Sequence, residues 1–279
     1  MVRIIIKQMR VKSWSKNLLV FTPAIANQSY AAILSIEIWI LFLMFCLLSS
    51  LVYIFNDIRD RGLDKNHPEK SKRPIANGDL KVYQGYLIVF ICVAVVLVLA
   101  SMLTFKTLII ALLFPIINLF YSLGFKNIPN LELFLVSSGY VVRCVSGASI
   151  GEIELSFWFY MIVGFSSAIL VVGKRLAELS QSLGNKRAVL IFYSYDYLKI
   201  VYGIVLSSTV NFIFLWINER FGSDFKGIVA GVLLTIVLLE HARASLGKLP
   251  HQVEFPEAWL LSKPHLLFIV LIAGFILYV

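Results

Sequence analysis

The chain has 279 residues, of which 59% are hydrophobic and 15% charged, and a formal net charge of +9. A soluble domain of this length carries roughly 45–50% apolar and about 25% charged residues, so the composition excludes an ordinary soluble enzyme. The basic residues sit in short segments beside apolar stretches, which argues against a nucleic-acid partner and for membrane orientation and anionic substrates.

Spanning a bilayer takes roughly 20 apolar residues. On that basis the pattern predicts an all-α integral membrane protein. It forms one polytopic domain over 1–279, with helices near 17–34, 36–55, 80–100, 106–123, 131–150, 157–176, 197–218, 226–243 and 264–278. No linker-like stretch divides it. The basic start followed by "NLLVFTPAIA" imitates a signal peptide, but an uncleaved first helix fits the further spans and the charge pattern. Lys16 and Asn17 open that helix within "WSKN". They read either as an interface anchor, with Trp14 at headgroup level, or as phosphate contacts.

After the second span comes "NDIRDRGLDKNHPEKSKRPIANG", residues 56–78. Asp57, Asp60 and Asp64 are spaced i, i+3, i+7, which on one helix places them within a wedge of about 60°. Asn56 lies near the same face. Carboxylates so close repel one another unless a cation sits among them. An oxygen-only donor set of this kind suits Mg²⁺, which bridges to phosphate oxygens. The bland alternative is a solvated helix end whose aspartates pair with Arg59 and Arg61. Pro68, Pro74 and Asn77-Gly78 then turn the chain, Asp79 is placed to cap the next helix, and Lys72 and Arg73 are carried beside the aspartates.

Further along, Tyr121 and Lys126 end the fourth helix, and Lys126 is the only cation of its loop. Arg143 lies mid-span in "GYVVRCVSG"; an intramembrane arginine lines a cavity or has a buried partner such as Glu178. Lys174, Arg175 and Glu178 share a helix at a spacing that also permits simple intrahelical pairing. Asp196 reads as a helix cap in preference to a contact with a donor hydroxyl. Cys46, Cys92 and Cys144 fall inside apolar spans, and neither they nor His67, His241, His251 and His265 have metal-ligand spacing.

Placing the N-terminus in the cytoplasm leaves Lys106, Arg220 and Lys226 as the basic residues of outside loops and Arg143 within a span; the rest of the 25 Lys and Arg fall inside, including Lys186, Arg187 and Lys248. The expected location is a prokaryotic plasma membrane, with the C-terminus outside and the polar loops 56–79, 124–130 and 174–196 cytoplasmic.

The segment "NDIRDRGLD" resembles the first aspartate-rich motif, NDxxDxxxD, of the UbiA prenyltransferase superfamily. The blocks "RVKSWSKNLLVFTPAIA", "DKNHPEKSKRPIANG", "YSLGFKNIPNLELFLVSSGYVVRCVSG" and "GKRLAEL" resemble its branch that makes polyprenyl-phosphate phosphoribose, including the decaprenyl-phosphate lipids of cell-wall arabinogalactan synthesis. The second DxxxD cluster usual in aromatic prenyltransferases is absent from "GKRLAELSQSLGNKRAVLIFYSYDYLK", and Ser262-Lys263 stands where the branch often has Arg-Asp.

The resemblance implies a nine-helix bundle around a central cavity open to the cytoplasmic face. It implies Mg²⁺-dependent transfer of 5-phosphoribose from phosphoribosyl diphosphate to a polyprenyl phosphate. Asn56, Asp57, Asp60 and Asp64 would hold the metal, with Asp57 and Asp60 essential to catalysis. Lys16, Asn17, Lys72, Arg73, Tyr121, Lys126, Arg143, Lys174, Arg175 and Glu178 would contact substrate. A homo-oligomer is compatible with this reading. The alternatives are prenyl transfer to an aromatic or other small acceptor, and, from another class, a transporter. A transporter favours discontinuous helices near the midplane, whereas charge here gathers at one face.

Overall fold

The structure is a computed structural model of the chain that describes residues 1–66, 70–180, 188–222, 224–247 and 256–278. His67, Pro68, Lys186, Arg187, Lys248 and His251, with the corresponding parts of the expected cytoplasmic loops, lie outside the described residues. Among the described residues every regular element is helical.

Seven helices are long and apolar enough to cross a membrane. They are α4 (Ile36–Arg59), α7 (Val82–Ala100), α8 (Phe105–Leu123), α9 (Leu131–Ile150), α10 (Phe157–Ser180), α11 (Tyr195–Phe221) and α12 (Phe225–Leu246). Each coincides with an expected span. The last apolar segment forms α14 (Pro264–Tyr278), 15 residues long and preceded by the short α13 (Pro256–Leu261).

The first expected span does not form one helix. An amphipathic α1 (Val2–Met9) comes first, then a 3-10 run over Val11–Phe21, then two single-turn helices, α2 (Thr22–Ala26) and α3 (Tyr30–Leu34). The cause is local. Pro23 enters α2 where a missing N–H costs nothing. Asn27 leaves helical geometry, and Gln28 adopts a φ of 53°, so no hydrogen-bond ladder continues. The Ser29 hydroxyl then accepts from the Ala32 N–H and starts α3 afresh.

The chain packs as two compact units. The first comprises 1–125 and 139–154; the second comprises 126–138 and 155–279. In the first, α4 is the central element, with Ile38, Leu41 and Phe45 fully enclosed and α1, the 3-10 run, α7 and α8 against it. Where α4 approaches its polar end, Ile54 joins Ile75 and Leu80 in a small core completed by Ile4 and Met9 of α1. The Gly147 backbone of α9 lies so close to the 3-10 run that a Cβ there would collide with the Val20 carbonyl. Helices α7 and α8 turn Phe90, Leu97 and Leu119 outward, as lipid-facing surfaces do. In the second unit α10 packs on α11 and α12, and α12 on α14, around Ile169, Leu176, Leu198 and Tyr202. All three cysteines are buried thiols.

Candidate active site

The apolar pattern of α4 gives way to Asn56 and Asp57 one turn before the helix ends. Asp60 closes it with φ −89° and ψ 6°, and the chain restarts in α5 (Arg61–Asp64). This break separates the three aspartates that a continuous helix would have aligned. Asp57 and Asp64 turn inward and are 2% and 3% exposed. The Asp60 side chain is 32% exposed and accepts from Arg59 Nε at 3.2 Å. The expected single acidic face is therefore an inward pair plus an outward third member.

The inward pair is gripped by cations from two directions. Asp57 Oδ1 accepts from Arg10 Nη2 at 2.6 Å and from Arg73 Nη1 at 2.9 Å, and Asp57 Oδ2 accepts from Gln8 Nε2 at 2.8 Å. The same Arg73 nitrogen donates to Asp64 Oδ2 at 2.7 Å. Arg73 reaches this position because it precedes the one-turn α6 (Pro74–Asn77), which Gly78 closes in the left-handed region at φ 93°. The Asn77-Gly78 turn forms as expected. Asp79 does not cap α7; it packs back on Asn77, and the Gln84 side chain instead accepts from the Lys81 N–H. Lys72 is exposed, and its carbonyl accepts from Lys7 Nζ at 2.8 Å. Asn56 Oδ1 accepts from the Ser122 hydroxyl at 3.0 Å, next to Tyr121 at the end of α8, and Arg59 Nη1 donates to the Ser122 carbonyl at 2.9 Å.

A second network in the same unit surrounds Arg143. Its Nε donates to Asn17 Oδ1 at 2.7 Å, Nη1 to the Gly139 carbonyl at 2.6 Å and Nη2 to Ser49 Oγ at 3.3 Å, and its guanidinium lies 4.3 Å from the Phe114 ring centre. The expected alternative partner, Glu178, is engaged elsewhere. Asn17 is fully buried as the acceptor for Arg143, while Lys16, one residue earlier, is partly exposed. Trp14 turns its indole N–H to Ser50 Oγ at 3.1 Å.

The second unit holds Lys126, Lys174, Arg175 and Glu178. Arg175 is 2% exposed and forms a bidentate pair with Glu132 at 2.8 and 2.9 Å, while its Nη1 reaches Glu178 at 2.9 Å. Nearby, the Asn130 N–H donates to Tyr193 Oη at 2.7 Å, and Tyr197 donates to Asn130 Oδ1 at 2.8 Å. Burial holds the Tyr193 phenol above its ordinary range. Asp196 is not the cap of α11: Ser194 accepts from the Tyr197 N–H, and Asp196 sits exposed in the first turn near Lys199.

The ligating atoms that Asn56, Asp57, Asp60 and Asp64 can offer a metal are oxygens, the chemistry of a hard divalent cation. One Arg73 nitrogen bridges Asp57 and Asp64, so positive charge is accommodated between these two carboxylates. Among the described residues no three His, Cys, Asp or Glu side chains stand ready as a metal-ligand group, and Asp60 is paired with Arg59. The set fits such an ion in donor chemistry and in the Asp57–Asp64 pairing. Two buried atoms here lack partners, Arg61 Nε and Gln8 Oε1, a donor and an acceptor. Gln8, Arg10, Ser122 and Glu132 were not among the sequence candidates. For Glu132 the available signal was an acid in the first turn of an apolar span; Arg10 opens the block "RVKSWSKNLLVFTPAIA", and Gln8 carried none beyond lying in the basic N-terminal segment.

Residues 18–243 match the model of the UbiA prenyltransferase family. The chain is 32% identical over 248 residues to a decaprenyl-phosphate phosphoribosyltransferase of Mycobacterium tuberculosis, covering 85% of this chain and 82% of that protein. It is 34% identical over 219 residues to a protein of the same name from Corynebacterium glutamicum, covering 76% and 66%. In fold it is similar to a UbiA homologue from Archaeoglobus fulgidus solved with DMAPP and Mg²⁺, with a TM-score of 0.74, 17% identity and 99% of each chain covered. The match spans the acidic motif, the basic turn and six of the seven long apolar helices in full, and the chain belongs to the UbiA prenyltransferase family of integral membrane proteins.

Proposed function

We propose that this protein transfers 5-phosphoribose from phosphoribosyl diphosphate to a polyprenyl phosphate and releases diphosphate. The observation that carries the reading is the 32% identity to a decaprenyl-phosphate phosphoribosyltransferase across 85% of the chain. The geometry agrees with it: the basic turn specific to that branch places Arg73 directly on the acidic motif common to the whole family.

In the reaction, an oxygen of the lipid phosphate forms a bond to ribose C1 while the bond from C1 to the diphosphate oxygen breaks, and its electron pair leaves with the diphosphate. The acceptor is already ionised, so no strong general base is required. The protein's tasks are to hold the donor, offset charge on the leaving group and orient the acceptor. Asn56, Asp57, Asp60 and Asp64 would hold Mg²⁺, which supplies charge neutralisation at the diphosphate when bound. Arg73, Lys72 and the partnerless Arg61 Nε supply phosphate donors beside it. Lys16, Tyr121, Lys126 and Lys174 are further proposed substrate contacts. Asn17, Arg175 and Glu178 act through neighbours, Asn17 by orienting Arg143 and Glu178 by orienting Arg175.

Nine membrane crossings complete the reading, with the seven long helices joined by α14 and by the segmented 11–34 stretch around a cavity facing the cytoplasm. Such a lipid-linked sugar phosphate is of the kind consumed in cell-wall polymer assembly. The test uses purified protein, Mg²⁺, decaprenyl phosphate and ribose-labelled phosphoribosyl diphosphate. The expected result is label in the lipid extract. No product there, with product from a prenyl diphosphate and an aromatic acid, would replace this reading with aromatic prenyl transfer.

A further inference from the structure

Helix α1 has three faces with three different chemistries. Ile4, Gln8 and Met9 face the protein: Gln8 reaches Asp57, and Ile4 and Met9 pack on the core of Ile54, Ile75 and Leu80. Val2 and Ile6, one turn apart, form a second line and are 71% and 50% exposed. Arg3 and Lys7, also one turn apart, form a third line beside it, and both are exposed. No acidic residue occurs before Glu37, whereas Arg3, Lys7, Arg10, Lys12 and Lys16 all do. A short helix with an apolar line edged by cations, and no anions near it in sequence, matches the boundary of an anionic bilayer leaflet: apolar side chains enter the acyl region while the cations meet lipid phosphates.

The alternatives fit less well. Water would leave Val2 and Ile6 solvated at a cost. A membrane-crossing role is excluded by the eight-residue length of α1. We infer that α1 is an interfacial helix that docks on an anionic lipid surface through Val2, Ile6 and Arg3 while its inner face holds Asp57 through Gln8. Arg10, immediately after the helix in the left-handed region at φ 52°, turns back to the same carboxylate. The lipid surface and the Asp57 carboxylate thus bind opposite sides of one rigid element. This inference rests on the membrane location of the chain and is independent of the reaction proposed above.

The test uses the full-length protein, labelled with an environment-sensitive fluorophore at Ile6→Cys; the native thiols Cys46, Cys92 and Cys144 are buried. The protein is placed in nanodiscs of phosphatidylcholine with increasing phosphatidylglycerol, together with lipids carrying a nitroxide near the headgroup end of the acyl chain. The expected result is quenching that rises with phosphatidylglycerol content. An added Arg3→Gln should lower the docking equilibrium constant at a given phosphatidylglycerol content by about fivefold. An unchanged melting temperature identifies the loss as one of docking. Quenching absent at every composition would overturn the inference by placing α1 in water. Quenching equal in pure phosphatidylcholine and unmoved by Arg3→Gln would overturn the requirement for anionic lipid. Neither readout depends on product formation.

Discussion

Asp57 accepts from Gln8, Arg10 and Arg73 and is almost fully enclosed, whereas Asp60, three residues on, faces outward to Arg59. The two should therefore respond differently to the same substitution. Asp57→Asn should lower activity about 100-fold and also lower stability by about 2 kcal/mol, because it weakens charge-assisted bonds from two arginines. Asp60→Asn should lower activity comparably and leave the melting temperature unchanged. Thermal unfolding in detergent, measured beside turnover, separates the two effects. Arg175 makes the converse case. Glu132 has no exposed surface, so Arg175→Met should strand a buried carboxylate and cost about 3–5 kcal/mol. Adding Glu132→Leu should restore most of that stability. If stability returns without activity, Arg175 also serves the reaction; if both return, its role is to hold α10 and α9 together.

At the scale of elements, the contact of α9 with the 3-10 run gives a sharp expectation. Gly147→Ala should destabilise the protein by about 3 kcal/mol, since the obstacle is the Val20 backbone carbonyl and cannot rotate away. The midpoint of thermal unfolding reads this directly. The same region shows why part of the fold was hidden in the sequence. Seven long spans were legible because hydropathy over about 20 residues reports the membrane constraint itself. The stretch 17–34 passed the same apolar criterion, yet Pro23, Asn27 and Gln28 end the backbone ladder, a signal that hydropathy does not weigh. The acidic motif was legible as chemistry but not as geometry. Spacing assumed an unbroken helix through Asp64, and the break at Asp60 redirected one carboxylate. Gln8 and Arg10 could not be found by spacing at all, because they meet Asp57 from 49 and 47 residues away.

At the scale of the whole molecule, family, fold and composition agree on a membrane enzyme, and the remaining choice is which group moves. The acidic motif serves the entire family, so it cannot make that choice. The basic turn carrying Lys72 and Arg73 is the proposed selector, because a donor with a diphosphate and a separate phosphate needs more cation contacts than a prenyl diphosphate does. The most direct measurement of this claim is the mass of the lipid product together with the diphosphate released, using purified protein, Mg²⁺, phosphoribosyl diphosphate and decaprenyl phosphate. The account predicts a lipid heavier by one phosphoribosyl group, one diphosphate per lipid formed, and loss of both on chelation of the metal. A lipid of unchanged mass, or diphosphate released from a prenyl diphosphate instead, would contradict it.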